Sequence, residues 1–290
     1  MTILAFDNGN RITQLSSEKN TVTLPSQHQL NNQLYELQPD LVTIEINGKS
    51  YTVGNVFGSD IVQTIVVGKE ETALIHFLAL HNYLPQSPTK IDKLLIVETN
   101  PETSNYDSLL GHHDYHYLEG GVTYNAQVTV EKLEFVQEGL GAFRHFSKHG
   151  NQTQQITIVI NIGAGTLDFL VYDRAGKLLQ RKNLENSGAI AICNYFNKHQ
   201  RQKGLAKFDL EPERIFSALE NNDSKITKSF GSVFNAYLQH HISKQLTQFQ
   251  QYKGHLNPIV VTGGLAGLVK GKNFYIPSQP NLVNAQYLIK

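Results

Sequence analysis

The sequence predicts an α/β protein of two lobes that are related by internal duplication. Its 290 residues exceed the ~100–200 residues of an ordinary single domain. Short apolar runs rich in β-branched residues, which are typical of buried strands, alternate with segments whose apolar residues recur at helical spacing. One arrangement, a strand that runs into polar residues and a glycine turn, occurs twice about 150 residues apart. The repetition predicts two similar loops that face one ligand.

The first copy lies at the start of the chain. The apolar strand Thr2–Phe6 runs directly into Asp7-Asn8-Gly9-Asn10. Glycine permits close backbone approach, and successive backbone N–H groups in such a turn can form a concave anion site. A carboxylate beside that turn suits Mg²⁺, which prefers oxygen ligands and commonly binds together with a phosphate.

The second copy is the stretch Ile156–Asp168. A strand of β-branched residues enters Gly163-Ala164-Gly165, and Thr166 and Asp168 follow before a second apolar run, Phe169–Tyr172. The pair of runs predicts a hairpin with glycines at its tip. An ordinary hairpin with a glycine bulge would give the same local pattern, so the phosphate interpretation depends on the recurrence of the motif.

Two further glycine turns add candidate site residues. The strand Pro258–Thr262 leads into Gly263 and Gly264, whose lack of a Cβ lets a turn lie flat against a base or ribose. Gln137 and Glu138 precede a helix that we predict to end near Lys148. A carboxylate or amide at that helix start could order a water, although Glu138 could equally stabilise the first turn by ~0.3–1 kcal/mol.

The other elements follow from periodicity and turn residues. A polar segment at 150–155 predicts the lobe boundary, and His112–His116 is interpreted as a solvated loop in preference to a metal site, because its spacing matches no ligand pattern. A long helix, Ile226–Tyr252, is predicted to kink near Gly231. The remaining predicted elements are the strands Thr21–Pro25, Leu41–Ile46, Tyr51–Val56, Lys93–Val97, Val122–Val130, Leu133–Val136 and Phe274–Ile276, and the helices Thr72–Tyr83, Ala189–His199, Glu211–Glu220 and Asn284–Ile289.

Composition excludes several function classes. The 25 basic residues balance 25 acidic ones, so the chain has no electrostatic signature for DNA, RNA or an anionic membrane. The single cysteine, Cys193, rules out an internal disulfide framework and fits a reducing cytosol. No signal pattern is present and no apolar run approaches ~18–20 residues. We therefore expect a cytoplasmic protein without direct nucleic-acid or membrane binding.

These loops, in this order, resemble those of the actin-like ATPases, and in particular the plasmid-segregating bacterial actins of the ParM/StbA type. The similarity extends over nearly the full length. The matching motifs are Asp7-Asn8-Gly9-Asn10, Leu24-Pro25-Ser26, Ile46-Asn47-Gly48-Lys49, Tyr51-x-Val53-Gly54, Gln137-Glu138-Gly139-x-Gly141-Ala142, Asn161-Ile162-Gly163-Ala164-Gly165-Thr166-x-Asp168, Val260-Val261-Thr262-Gly263-Gly264 and Asn281-Leu282-Val283-Asn284-Ala285.

The resemblance implies a two-lobed fold of duplicated RNase-H-like domains with a nucleotide cleft between the lobes. Domain I would span 1–150 and domain II 151–275, and a closing helix in 276–290 would pack back on domain I. It also implies head-to-tail filaments formed with ATP (or GTP) and Mg²⁺, and an adaptor protein bound to centromere DNA.

The resemblance also assigns roles to the candidate residues. Asp7 and Asp168 would organise Mg²⁺, and Glu138 or Gln137 would orient the attacking water. The candidate nucleotide-binding residues are Asp7, Asn8, Gly9, Asn10, Arg11, Asn161, Gly163, Ala164, Gly165, Thr166, Gly188, Gly263 and Gly264.

Two positions depart from the family pattern. The second phosphate loop of the family usually begins with Asp, where this chain has Asn161, and an amide keeps the shape of the side chain but loses its charge. The family also commonly carries a lysine a few residues after the first glycine, and the matching position in this chain is Gln14. Arg11 is closer to the turn and could supply the positive charge, although its guanidinium would approach a phosphate differently from an ammonium. Because phosphoryl transfer depends on positioning and charge neutralisation, these changes predict slow hydrolysis more than lost binding.

We therefore expect a polymerising actin-like ATPase that serves plasmid segregation or a related cytoskeletal role. A non-polymerising nucleotide-binding regulator or scaffold of the same fold is the alternative, which Asn161 motivates. A small-molecule kinase of the same superfamily is a third hypothesis, but the chain is short for that group and shows no substrate-recognition insert.

Overall fold

A computed structural model describes residues 1–31, 41–56, 61–63, 67–221 and 223–289. The chain divides into two compact units. Unit 1 comprises Met1–Gly141 and Leu282–Lys290, and unit 2 comprises Ala142–Asn281. Unit 1 thus ends at Gly141, ahead of the boundary at residue 150 that the sequence suggests, and the C-terminal segment that returns to it begins at Leu282.

The secondary structure is mixed. The strands are β1 Ile3–Asn8, β2 Ile12–Ser16, β3 Thr21–Pro25, β4 Gln27–Asn31, β5 Leu41–Ile46, β6 Lys49–Gly54, β7 Ile61–Gln63, β8 Lys90–Ile91, β9 Lys93–Glu98, β10 Gly111–Glu119, β11 Val122–Val130, β12 Leu133–Gln137, β13 Ile156–Ile162, β14 Thr166–Asp173, β15 Leu178–Glu185, β16 Ile259–Gly263 and β17 Phe274–Tyr275. The helices are α1 Lys69–Tyr83, α2 Leu140–His149, α3 Ala189–Gln202, α4 Pro212–Glu220, α5 Ser224–Leu246 and α6 Val283–Ile289, with 3₁₀ turns at Asp107–Leu109, Thr247–Tyr252 and Ala266–Leu268.

Each unit contains a five-stranded sheet of the same topology. The order is β12-β9-β1-β2-β3 in unit 1 and β15-β14-β13-β16-β17 in unit 2. In both sheets the first three strands form an antiparallel meander, and two later strands add in parallel beside the first. The repetition confirms the duplication that the two glycine turns predict.

A second sheet in unit 1 has the order β7-β4-β6-β5-β10-β11-β8. The hairpin β5–β6 turns at Asn47 (φ 51°) and Gly48 (φ 70°), as the Asn-Gly pair predicts. The prediction of a solvated loop at His112–His116 is wrong, because these residues form the middle of β10 and pair with β11 in register along its whole length. Val122–Val130, in contrast, is a strand with the predicted bounds.

Each unit has its own apolar core. In unit 2 the apolar residues of β13 and β14 pack with Ile192 and Phe196 of α3 and Phe230 of α5. In unit 1 Phe6 packs edge-on against Phe77 of α1, with ring centroids 5.8 Å apart. Burial of apolar surface at about 25 cal/mol per Å² is the main stabilising contribution in both units.

The long helix in unit 2 differs from its prediction in length and bend. Asp223 caps α5 by accepting from the backbone N–H of Lys225 at 3.0 Å, and the helix continues through Gly231. The irregular backbone lies instead at Phe249 (φ −104°, ψ 20°), within the 3₁₀ turn that follows. Among the described residues, no helix combines the length and apolar character that crossing a bilayer requires.

Candidate functional site

The first glycine loop joins β1 to β2 in unit 1. Asp7 pairs with Gln14 and Asn8 with Thr13 across these antiparallel strands. A Cβ at Gly9 would lie 2.4 Å from the carbonyl oxygen of Ile12, a distance that no side chain tolerates. The loop sequence is therefore restricted at Gly9 by close backbone approach and not by a positive φ.

Asn8 connects this loop to helix α1 through hydrogen bonds. Its side chain is fully buried and its Nδ2 donates to the backbone carbonyl of Lys69 and, at 2.9 Å, to Thr72 Oγ1. Its Oδ1 is left to accept from Nδ1 of His76, 2.9 Å away. These bonds join the loop to the first two turns of α1.

Three carboxylates lie at the carboxyl ends of adjacent parallel strands in unit 1. Asp7 is the penultimate residue of β1, Glu98 ends β9, and Glu138 directly follows β12. The carboxyl edge of a parallel sheet is where α/β proteins commonly bind ligands. Burial, and then the nearby Glu138, raise the pKa of Asp7 to about 7, while Lys69 acts in the opposite direction and Glu98 adds to the rise.

Glu98 is held by several donors. The Tyr106 hydroxyl donates to its Oε1, the Thr99 backbone N–H donates to Oε2 at 3.2 Å, and Lys69 Nζ lies 3.7 Å from Oε2. Burial, and then the charge of Glu98, raise the pKa of Tyr106 far above its ordinary value, so this phenol remains a donor. Glu98, Lys69 and Tyr106 are not among the site residues that the sequence motifs predict.

Gln137 and Glu138 take different positions. The Gln137 amide donates to the backbone carbonyl of Thr99 at 3.1 Å, which ties it to the segment after β9. Glu138 Oε2 accepts from Thr99 Oγ1 at 2.6 Å and lies close enough to Asp7 to raise its pKa. Of the two catalytic candidates, Glu138 is therefore the one that lies near Asp7 at the carboxyl edge of the sheet.

The second glycine loop joins β13 to β14 in unit 2. The loop closes with a hydrogen bond from the Gly163 N–H to the Thr166 carbonyl at 3.0 Å, and the first residue of α3, Ala189, donates its N–H to the Gly163 carbonyl at 2.9 Å. A Cβ at Gly188 would lie 2.5 Å from the Gly163 carbonyl oxygen. Gly188, a predicted ligand contact, therefore has a packing role against the loop.

The polar residues of this second hairpin pair across the strands. Asn161 lies opposite Asp168, and both side chains are buried. The Asp168 carboxylate accepts from Asn183 Nδ2 at 2.7 Å and from Thr166 Oγ1 at 3.1 Å. Both carboxylate oxygens of Asp168 thus accept hydrogen bonds from residues of unit 2.

The third glycine turn follows β16. Gly263 has a φ of +97°, and a Cβ there would lie 2.2 Å from the carbonyl oxygen of Ile162 on the paired strand, so the sheet itself requires glycine. Gly264 has no neighbouring atom within 4 Å of a built Cβ. The predicted contact of both glycines with a nucleoside stays a prediction.

The residues of unit 1 fit a hard cation. Asp7 supplies a partly buried carboxylate among like charges, and the Oε1 atom of Gln14, its cross-strand partner, is buried and finds no hydrogen-bond partner within the described part of the chain. Oxygen donors of these kinds are the ligands that Mg²⁺ prefers. Over the same described ranges no group of three or more His, Cys, Asp or Glu side chains has a metal-binding arrangement, so protein atoms alone would not saturate a metal there.

One signal could have identified Glu98 in advance. The run Lys93–Val97 is an apolar strand that is followed by a carboxylate, and the same pattern identifies Asp7 as a candidate. Lys69 and Tyr106 had no comparable signal, because their relation to the loop depends on the packing of α1 and of the segment after β9.

Comparison with known proteins gives a structural match without a sequence match. No protein-family model and no curated protein sequence matches the chain. Among solved structures, the archaeal actin homolog Ta0583 superposes with a TM-score of 0.69 at 15% identity, covering 99% of this chain and 97% of that one. A 15-stranded ParM filament from Clostridium botulinum gives 0.68 at 17% identity with 99% and 97% coverage. Bacillus thuringiensis ParM with ATP gives 0.63 at 14% identity with 100% and 97% coverage. The resemblance that the sequence motifs suggest is thus confirmed at the level of structure, and the chain has the actin-like fold.

Proposed function

We propose that this chain is an actin-like protein that binds a nucleoside triphosphate with Mg²⁺ and assembles head to tail into filaments. The observation that carries the proposal is the glycine loop at the same position of two sheets with one topology. Backbone N–H groups of such loops suit phosphate oxygens. A heterologous contact that does not close on itself gives an open filament.

In unit 1 the backbone N–H groups of Gly9 and Asn10 would bind phosphate, with Arg11 nearby. Asp7, with the free Oε1 of Gln14, would hold Mg²⁺, which supplies charge neutralisation of the phosphates when bound. Glu138 would orient the attacking water. This assignment favours Glu138 over Gln137, whose amide already donates to Thr99.

In unit 2 the loop Gly163-Ala164-Gly165-Thr166 would bind phosphate, and Asp168 would act on the metal through water. Gly263 and Gly264 would flank the nucleoside, where the open space beside Gly264 suits a flat ring. The nucleoside would be adenosine or guanosine.

Slow hydrolysis is part of the proposal. Asn161 occupies the site where the related actins carry a carboxylate, and it is buried opposite Asp168. An amide there positions a water through hydrogen bonds without accepting its proton. We expect nucleotide binding to be retained and turnover to be low.

The solved relatives support filament formation and ATP as the ligand, since they include a ParM filament and a ParM with ATP. The same resemblance supports a role in plasmid segregation or a related cytoskeletal process in the cytoplasm. With no net charge, the chain would reach DNA through an adaptor protein.

Sedimentation of the purified chain tests the proposal. With ATP or GTP and Mg²⁺ we expect pelleted filaments, visible by electron microscopy, and slow phosphate release. Glu138→Gln should lower phosphate release by about 100-fold and leave pelleting intact. The control Glu134→Gln, on the exposed side of β12 in an ion pair with Lys93, should behave as wild type. A wild-type protein that stays in the supernatant at high concentration with every nucleotide would refute polymerisation.

A non-polymerising regulator of the same fold is the second candidate, and buried Asn161 is the observation that favours it. Asn161→Asp should raise phosphate release severalfold if this position limits hydrolysis. An unchanged rate in a variant that still binds ATP would show that the amide is not the cause of slow turnover. Nucleotide binding without pelleting would favour the regulator.

A further inference from the structure

The two units carry opposite charges, which the net charge of the whole chain does not reveal. Unit 1 contains 8 basic and 17 acidic side chains, and unit 2 contains 17 basic and 8 acidic ones. With histidine neutral, their formal charges are therefore −9 and +9. Protein surfaces that associate commonly place opposite potentials against each other. A second copy of this chain is a complementary partner, because each copy offers one acidic and one basic unit.

In unit 2, basic charge is concentrated in the segment between α3 and α4. Residues 198–207 include four basic and no acidic side chains. Leu205 and Phe208 belong to the same segment and are 69% and 83% exposed. We call residues 203–208 the basic loop. Because aromatic side chains are enriched at protein interfaces, this loop has the composition of a docking surface.

Hydrogen bonds hold both ends of the basic loop. The N–H of Leu205 donates to the Gln200 carbonyl in the last turns of α3, at 2.9 Å. The buried side chain of Asn197 exchanges two bonds with the backbone of Leu210, at 2.7 and 3.1 Å. The loop is therefore fixed before any partner binds, which reduces the conformational entropy that binding would cost.

In unit 1, a region without cations surrounds the hairpin β10–β11. Residues 94–131 include six carboxylates and no lysine or arginine. Across the hairpin Tyr117 pairs with Tyr124, and Glu119 pairs with Val122. Since residues two apart on a strand share a face, these four side chains lie on one face near the turn. We call them the hairpin patch.

The hairpin patch is the exposed continuation of a packed face. Tyr115, two residues before Tyr117, is buried and its hydroxyl lies 2.9 Å from Nδ1 of His81 in α1. Val122 and Tyr124, in contrast, are 52% and 42% exposed. The rings of Tyr117 and Tyr124 stack with centroids 5.3 Å apart. Such rings beside a carboxylate suit both an aromatic side chain and a lysine ammonium.

We propose that the basic loop of one copy docks on the hairpin patch of the next, with Phe208 against the tyrosine rings and Lys207 beside Glu119. The contact joins different surfaces of two identical chains, so it can repeat head to tail. The inference rests on the proposed filament formation and assigns that assembly to two named surfaces of opposite charge.

Charge reversal tests the contact through the protein concentration at which pelleting with ATP and Mg²⁺ begins. Lys207→Glu and Glu119→Lys should each raise that concentration about 10-fold, because each places like charges across the contact. Combined in one chain, the two changes restore opposite charges at every contact. We therefore expect the charge-swapped chain to pellet nearly as well as wild type.

Lys253→Glu is the matched control. Lys253 is exposed, and its reversal changes the charge of unit 2 by the same amount as Lys207→Glu. It follows the end of α5, whereas α3 meets the first half of α5 through Phe196 and Phe230, whose ring centroids are 5.3 Å apart. We expect Lys253→Glu to pellet as wild type.

Phe208→Ser tests the apolar part of the contact. It should raise the pelleting concentration about 10-fold and leave the melting temperature unchanged, because Phe208 is exposed. Its defect should persist at an ionic strength of about 0.5 M, whereas the difference between Lys207→Glu and wild type should shrink there, because salt screens exposed charges.

Wild-type pelleting in Lys207→Glu or Phe208→Ser, or no recovery in the charge-swapped chain, would overturn the inference and leave the proposed filaments standing. Binding of DNA or anionic vesicles that Lys207→Glu abolishes without a change in pelleting would also overturn it, by assigning the loop to a polyanion. A wild-type chain that stays in the supernatant with every nucleotide would instead overturn the proposed polymerisation and this inference with it.

Discussion

The two glycine loops carry the same pair of polar groups in exchanged positions. Asp7 on β1 lies opposite Gln14 on β2, whereas Asn161 on β13 lies opposite Asp168 on β14. Each hairpin therefore combines one carboxylate with one amide at equivalent places. The duplicated scaffold has kept one negative charge per hairpin while moving it from one strand to the other.

The surroundings of the two carboxylates differ more than their positions. Asp168 accepts hydrogen bonds from Asn183 and Thr166, while the charges near Asp7 include the further carboxylates of Glu138 and Glu98. The strand registers explain the contrast, because the place that Glu98 takes on β9 is taken on β16 by Gly263. Unit 1 thus concentrates charge at its carboxyl edge, whereas unit 2 has a glycine, without a side chain or charge, at the corresponding place.

The largest effect that this comparison predicts is at Asp7. Its pKa is raised from 3.8 to about 7, so the folded protein binds more protons than the unfolded chain between these values. The penalty is absent below pH 3.8, grows as pH rises and is complete above pH 7. We expect Asp7→Asn to raise the free energy of unfolding by up to about 4 kcal/mol at pH 8, and by much less at pH 4. Urea titrations at both pH values measure this, and a destabilised variant at pH 8 would contradict it.

Glycine substitutions should give the next largest effect. Gly9→Ala and Gly188→Ala each place a Cβ within 2.5 Å of a backbone oxygen, which should cost about 1–3 kcal/mol or more. Gly264→Ala, with no atom within 4 Å of its Cβ, is the matched control and should change stability by less than about 0.5 kcal/mol. Thermal melts of the three variants rank them, and equal melting temperatures would show that the loops yield to a methyl group.

Asp168→Asn should have the smallest effect and the opposite sign to Asp7→Asn. The amide loses one charge-assisted acceptor for Asn183 and Thr166, which should destabilise the chain by about 1–2 kcal/mol at pH 8. A stabilised Asp168→Asn variant would mean that the two hairpins are electrostatically alike. Urea unfolding beside Asp7→Asn, in the same buffer, decides the sign.

Much of the fold was predictable because its signals are local. β-branched runs, the Asn47-Gly48 turn and helical spacing identify most elements, and the repeated glycine turn predicts the duplicated sheet. The strand β10 was missed because His112–His116 contains no aliphatic residue, and pairing with β11 decides its conformation. β15, with the polar sequence of Leu178–Glu185, was not predicted for the same reason.

The candidate site was predictable only in its loops. Asp7, Gly9, Gly163 and Asp168 follow strands and are visible as motifs. The charges around Asp7 belong to residues such as Lys69 and Glu98. These residues lie far from the loop in sequence, so no local motif identifies them. Gly188 is the opposite case. The sequence predicts a ligand contact there, whereas close packing against Gly163 explains why this residue is glycine.

The donor and acceptor roles in the hydrogen bonds around Asn8 are fixed. Its amide nitrogen is committed to Lys69 and Thr72, so His76 carries its proton on Nδ1, and its Nε2 accepts from His28 Nδ1, 3.3 Å away. Burial lowers the pKa of His28 to about 4 and, with the neighbouring His28, that of His76 to about 3. Both rings therefore stay neutral in the folded state, whereas in the unfolded chain they take up protons below pH 6.5. The free energy of unfolding is thus highest above pH 6.5 and decreases as pH falls from 6.5 toward about 3. The donors of His28 and His76 thus point from β4 toward the loop, and the side chain of Asn8 is linked through His76 to a residue of the second sheet.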